Sequence, residues 1–135
     1  MQVEMTEQEK NKKILIIGPF PPPISGVSLA NKVVKEVLSS KGYYVNIINT
    51  SFPFFDERVG EFSLKKLFFY LKLNLKVTRI FSAKKVYITP GQTFFGVLKY
   101  LLFITTSALL KKELIIHVHG NHLGREYESL SGVKK

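Results

Sequence analysis

The sequence predicts an α/β fold, a Rossmann-like parallel sheet with helices on both faces. Two observations carry this. Short apolar runs at residues 13–17, 43–49, 85–89 and 113–119 have strand length and end at glycine, proline or small polar residues. Between them lie longer segments with helical apolar spacing, giving the order β-α-β-α-β-α-β that a parallel sheet with right-handed crossovers requires.

The first run, Ile14-Leu15-Ile16-Ile17, is apolar at every position and stops at Gly18. That is a strand buried on both faces. A proline-rich loop, residues 19–23, follows. Ser25 and Gly26 then open a helix over about residues 26–40, with Val27, Ala30, Val33, Val34, Val37 and Leu38 as its apolar positions. Lys41-Gly42 is a basic last turn with a glycine stop.

The second strand is followed by a loop over 50–62, and Ser63 is a candidate N-cap for a helix over about 63–81. On a helical wheel Lys65, Lys72, Lys76 and Arg79 form one narrow stripe. Leu64, Leu67, Phe68, Leu71 and Leu75 fill one flank, and Phe69, Leu73, Val77 and Ile80 the other. Two arrangements suit this pattern: a helix packed on the sheet with lysine stems reaching water, or a helix lying on an anionic membrane. The third strand ends at Pro90-Gly91, and a helix over 93–110 closes at Lys111-Lys112. Its apolar stretch, 94–110, is shorter than the roughly 20 residues that span a bilayer and contains Lys99, so a buried helix is expected. The fourth run ends in His117-Val118-His119-Gly120.

Domain organisation follows: a polar, flexible tail over 1–12, one Rossmann-like domain over 13–124, and a polar end or helix start over 125–135. The chain of 135 residues is long enough for one core. It has no cysteine, which excludes thiolate chemistry and suits a reducing cytoplasm. The net charge of +10 favours anionic partners: nucleic acid, membrane surface or phosphorylated ligands. It also suits a plain lysine-rich surface. No nucleic-acid-binding signature is present, so no nucleic-acid partner is expected.

Ligands of open parallel sheets bind outside the carboxyl ends of the strands. Four polar or glycine-rich loops gather there: Gly18 to Gly26; Asn49, Thr50 and Ser51; Thr89 to Thr93; and His119 to His122. The first loop lacks Gly-x-Gly-x-x-Gly and Gly-x-x-x-x-Gly-Lys-Ser/Thr, so dinucleotide and triphosphate fingerprints are absent. What remains is a helix start whose N–H groups meet a phosphate or sugar hydroxyl. His117 and His119, two apart on a strand, share a face. With His122 they are three nitrogens without a carboxylate cluster, a weak metal pattern, so no metal or cofactor is expected. No nucleophile elbow or close carboxylate pair stands out.

Residues 13–28, Lys-Ile-Leu-Ile-Ile-Gly-Pro-Phe-Pro-Pro-Pro-Ile-Ser-Gly-Val-Ser, resemble the opening of the N-terminal domain of family 4 glycosyltransferases, the large retaining GT-B group. Tyr87-Ile-Thr-Pro-Gly-Gln and Ile116-His-Val-His-Gly resemble that family's third-strand end and its strand closing on a histidine. The resemblance implies transfer of a sugar from a nucleotide-sugar donor to a saccharide or lipid-linked acceptor, as in cell-surface polysaccharide synthesis. It implies catalytic His119, and donor or acceptor binding by Gly18, Ser25, Gly26, Val27, Thr89, Gln92, Gly120 and Asn121. It implies a partial N-terminal half of the GT-B fold, inactive without a C-terminal donor-binding domain. The alternative is a non-catalytic basic module that binds anionic membrane or polyanions, with Lys65, Lys72, Lys76 and Arg79 as contacts. The expected location is cytoplasmic, with a peripheral position at the inner face of the membrane as an option.

Overall fold

The computed structural model of the chain describes residues 6–52, 64–120 and 122–129. It is an α/β fold on one four-stranded, all-parallel sheet. The strands are β1 (Lys13–Gly18), β2 (Tyr44–Asn49), β3 (Lys85–Ile88) and β4 (Glu113–Ile116), in the order β2-β1-β3-β4. The helices are α1 (Glu7–Asn11), α2 (Gly26–Ser40), α3 (Leu64–Asn74), α4 (Phe94–Leu98), α5 (Leu101–Leu109) and α6 (His122–Ser129). A 3-10 segment, Leu75–Ser82, continues α3.

Central position explains the composition of β1. It pairs with β2 in register Ile16↔Ile47 and with β3 in register Ile16↔Tyr87, so both of its edges are bonded and its side chains point to the two helix-covered faces. Leu15 and Ile17 join Ile48, Leu73, Ile80, Val86, Ile88, Tyr100 and Phe103 in a core against α3, the 3-10 segment and α5. Ile14, Ile16 and Phe20 face the other way, with Val34, Leu38, Val45, Ile47 and Tyr87 around them, under α2. Helices therefore lie on both faces.

Several elements depart from expectation. On α2 the buried positions are Ser28 and Asn31, while Val33 and Val37 are exposed. The helix is turned so that its polar side chains reach the loop after β1. The expected helix over 63–81 leaves α-geometry after Asn74, whose side-chain N–H donates to the Tyr70 carbonyl at 2.8 Å, in competition with the backbone bond of an α-turn. The β-branched Val77, Thr78 and Ile80 follow, and the chain tightens to i→i+3 bonding. The expected helix over 93–110 breaks at Lys99 and Tyr100 into α4 and α5. There the Tyr100 N–H bonds the Val97 carbonyl at 2.9 Å, and the tyrosine ring turns into the core. Nor is this segment buried throughout, since Phe95, Leu101, Leu102 and Leu109 are exposed. β4 ends at Ile116, three residues short of His119. The expected tail contains the one-turn helix α1, where the Thr6 N–H donates to the Glu9 carboxylate and the Glu9 N–H to the Thr6 hydroxyl. α6 begins at His122, inside the expected 13–124 domain. Ser63 and the loop over 53–62 lie outside the described residues.

The Gly42 stop is as expected: φ is +81°, and the Gly42 and Tyr43 N–H groups bond the Ser39 and Leu38 carbonyls at 3.0 and 3.1 Å. This is the paired C-terminal bonding of a left-handed glycine cap.

Candidate functional site

From β1 the chain runs to β2 on one side, then crosses to β3 on the other. The carboxyl ends of β1 and β3 thus flank the point where the winding reverses, the usual crevice for ligands in such sheets. Gly18 and Thr89 stand at those two ends. A Cβ at Gly18 would lie 2.0 Å from the Thr89 Oγ1 and 2.6 Å from the Asn31 Nδ2, so only glycine fits. The Asn31 Nδ2 donates to the Thr89 Oγ1 at 2.8 Å and to the Pro19 carbonyl at 2.9 Å. Asn31 is fully buried, yet its Oδ1 has no partner among the described residues. Sequence reasoning missed Asn31. The available signal was a polar pair, Ser28 and Asn31, three apart on a valine-rich helix.

The start of α2 forms one wall. Ser25 is the N-cap: its hydroxyl accepts from the Ser28 N–H at 3.1 Å, and the Ser28 hydroxyl accepts from the Ser25 N–H at 2.8 Å. Ser28 Oγ is also within 3.0 Å of the Pro23 carbonyl, holding the proline loop against the helix. With Ser28 and Leu29 bonded back to Ser25, the Gly26 and Val27 N–H groups are the first-turn donors without a cap partner among the described residues. No acidic residue sits in that turn. A Cβ at Gly26 would meet nothing within 4 Å, so the fold does not require glycine there; the space above the helix start is open.

The other end of the loop is fixed by residues expected at the site. Asn49 Oδ1 accepts from the Phe20 N–H at 3.0 Å, and Ser51 Oγ donates to the Phe20 carbonyl at 2.8 Å. Thr50 is buried, its Oγ1 2.7 Å from the Tyr100 hydroxyl. These three residues are structural: they tie the β1 loop and α5 to the end of β2.

Beyond β3 lies the histidine side. His117 and His119 follow β4 rather than belonging to it, yet their rings stack at 4.1 Å. His117 is exposed, its Nδ1 2.5 Å from the Tyr87 hydroxyl. Half-buried His119 has a buried Nε2 without a partner among the described residues. Burial, and then the neighbouring His117, lower its pKa from the usual histidine value, so its neutral form is favoured. The Gln92 side-chain N–H donates to the His119 carbonyl. Gly120 has φ +91°, and a Cβ there would lie 2.7 Å from the Gln92 Nε2. Gln92 and Gly120 thus position the histidine loop. Asn121 lies outside the described residues. Among them, no three His, Cys, Asp or Glu side chains cluster as metal ligands.

Arg79 leaves the expected basic stripe, since its guanidinium donates to the Ile47 carbonyl at 3.1 Å. Lys99 turns inward, its Nζ 5.1 Å from the Tyr70 ring centre and 5.3 Å from that of Tyr100. Burial lowers its pKa below the ordinary lysine value, while the two ring faces attract its charged form.

Comparison of the chain with protein-family models, with curated proteins and with solved structures finds no match to any of them.

Proposed function

We propose that this chain is the acceptor-side domain of a family 4-like GT-B retaining glycosyltransferase. It serves transfer of a sugar from a nucleotide-sugar donor to a saccharide or lipid-linked acceptor in cell-surface polysaccharide synthesis. The supporting observation is the crevice at the winding reversal. The first turn of α2, with the Gly26 and Val27 N–H groups, follows the end of β1, and the His119 loop follows β4, the neighbour of β3; among the described residues the buried Asn31 Oδ1 on α2 and the His119 Nε2 have no hydrogen-bond partner.

Each group has a role that its chemistry suits. The Gly26 and Val27 N–H groups and the α2 dipole stabilise negative charge on the donor diphosphate as the sugar leaves. Neutral His119 exchanges hydrogen bonds with a sugar hydroxyl. Thr89 sets the orientation of Asn31, and Gln92 and Gly120 hold the histidine loop. The opposite wall of the cleft, with the nucleotide site, belongs to a second α/β domain.

Complementation tests this. The chain is mixed with, or fused to, the donor-binding domain of a family 4 enzyme and assayed for radiolabelled sugar transfer to lipid-linked acceptors. The chain alone is expected to be inactive and the combination active, with loss of activity in His119→Ala. Both parts folded and no transfer with any nucleotide-sugar tried would overturn the assignment.

A further inference from the structure

The outer surface of the α3–α5 layer is apolar where water should make it polar. α3 buries Leu73 and half-buries Phe69 and Tyr70 toward the sheet. Its other side carries Leu64, Phe68 and Leu71, and the first residue of the 3-10 segment, Leu75, follows on; their exposures are 65, 68, 54 and 75%. Their spacing of four, three and four residues makes a continuous stripe along one helix side. α5, on the same face of the sheet, adds exposed Leu101 and Leu102. Single exposed leucines are ordinary, but a contiguous apolar patch marks an interaction surface.

Charge identifies the occupant. From Leu64 to Lys112 the sequence has ten Lys and Arg residues and no Asp or Glu. This acid-free stretch builds the whole helical layer on that face. Lys65, Lys72 and Lys76 are exposed beside the apolar stripe. The 3-10 geometry keeps Leu75 and Phe81 on one outward line while Ile80 stays buried. A second copy of the chain would bring two basic surfaces together, which repulsion opposes. An anionic lipid surface meets both halves of the pattern: headgroups pair with the lysines, and the acyl boundary takes Leu and Phe.

We infer that this face, centred on α3, docks on an anionic lipid bilayer, with Phe68 and Leu71 entering the interface and Lys72 and Lys76 pairing with headgroups. No helix among the described residues is long and apolar enough to cross a membrane, and the inferred contact lies in the plane of the interface. It does not depend on the glycosyl-transfer assignment.

Vesicle co-sedimentation tests it, using pure phosphatidylcholine and phosphatidylcholine with about a third phosphatidylglycerol, a composition that sets a negative surface potential. The wild-type chain is expected on the anionic vesicles only, with release by salt. Lys72→Glu with Lys76→Glu should weaken binding by at least ~30-fold, since each lysine near the surface is worth roughly a factor of five. Phe68→Ser with Leu71→Ser should also weaken it while leaving its salt dependence. These side chains are exposed, and circular dichroism checks that the variants fold. Equal binding to neutral vesicles, no binding to either, or an undiminished lysine variant would overturn the inference. So would sedimentation equilibrium showing a dimer that the Phe68→Ser, Leu71→Ser variant abolishes.

Discussion

Gly18 shows how closely one residue can be bound to its surroundings. A methyl group there would overlap the hydroxyl of Thr89 and the amide of Asn31, both buried and hydrogen-bonded to each other. Gly18→Ala should therefore destabilise the fold by about 1–3 kcal/mol, the usual range for overpacking, read as a lower denaturation midpoint. A midpoint unchanged from wild type would show that the β1–β3 junction has room. Gly26→Ala, where a methyl meets nothing, should leave stability within ~1 kcal/mol because alanine is also the better helix former. His119 gives a pH dependence with a definite sign. Its folded pKa lies below the unfolded value, so the unfolded chain binds more protons between the two. Stability should fall as the pH drops from about 6.5 through the folded pKa, and His119→Gln should flatten that segment of the curve of thermal midpoint against pH. The glycine at position 18 was legible in the sequence, as the stop after an apolar run. Asn31 was not, because burial of one amide depends on a threonine 58 positions away.

At the scale of elements, the strands were legible and the helix faces were not. A central strand needs apolar residues on both faces, and Ile14 to Ile17 states that locally. α2 is valine-rich all round, so apolar spacing could not select Val34 and Leu38 over Val33 and Val37. Tertiary bonds from Ser28 and Asn31 made the choice. The break at Tyr100 has the same origin, a side-chain bond to Thr50 that a helical wheel does not contain, whereas the change to 3-10 geometry after Asn74 follows a local bond from its side chain to the Tyr70 carbonyl. α5 closes with bonds from the Lys111 and Lys112 N–H groups to the Ala108 and Ser107 carbonyls, the arrangement seen at Gly42. Here a lysine at φ 50° takes the left-handed position that glycine holds after α2. Lys111→Gly should therefore raise stability by roughly 0.5–1 kcal/mol, seen as a higher melting temperature. A lower one would mean that the lysine side chain contributes more than its backbone costs.

Across the whole molecule, the two layers differ in kind. α2 covers β1 and β2 on one face and presents its start to the winding reversal. The α3–α5 layer covers the other face, and its outer surface is basic and apolar. Phe52, just past β2, packs against Phe69 of α3 with ring centres 5.4 Å apart. The middle of α3 is thus tied to the chain just past the carboxyl end of β2. The sequence placed loops at this edge; it did not show that Asn49, Thr50 and Ser51 brace the fold while Asn31 and His119 have atoms without a partner among the described residues.

The most direct measurement of the crevice is an NMR titration of the folded chain with a panel of nucleotide-sugars and saccharides. Binding with a Kd of roughly millimolar strength is expected for one wall of a cleft, since about 4 kcal/mol is reachable with a few hydrogen bonds. The Gly26 and Val27 amides and the His119 ring should shift together on the same isotherm. Shifts confined to the lysine-rich surface of α3, with those three residues unmoved, would contradict a ligand site at the reversal of the sheet.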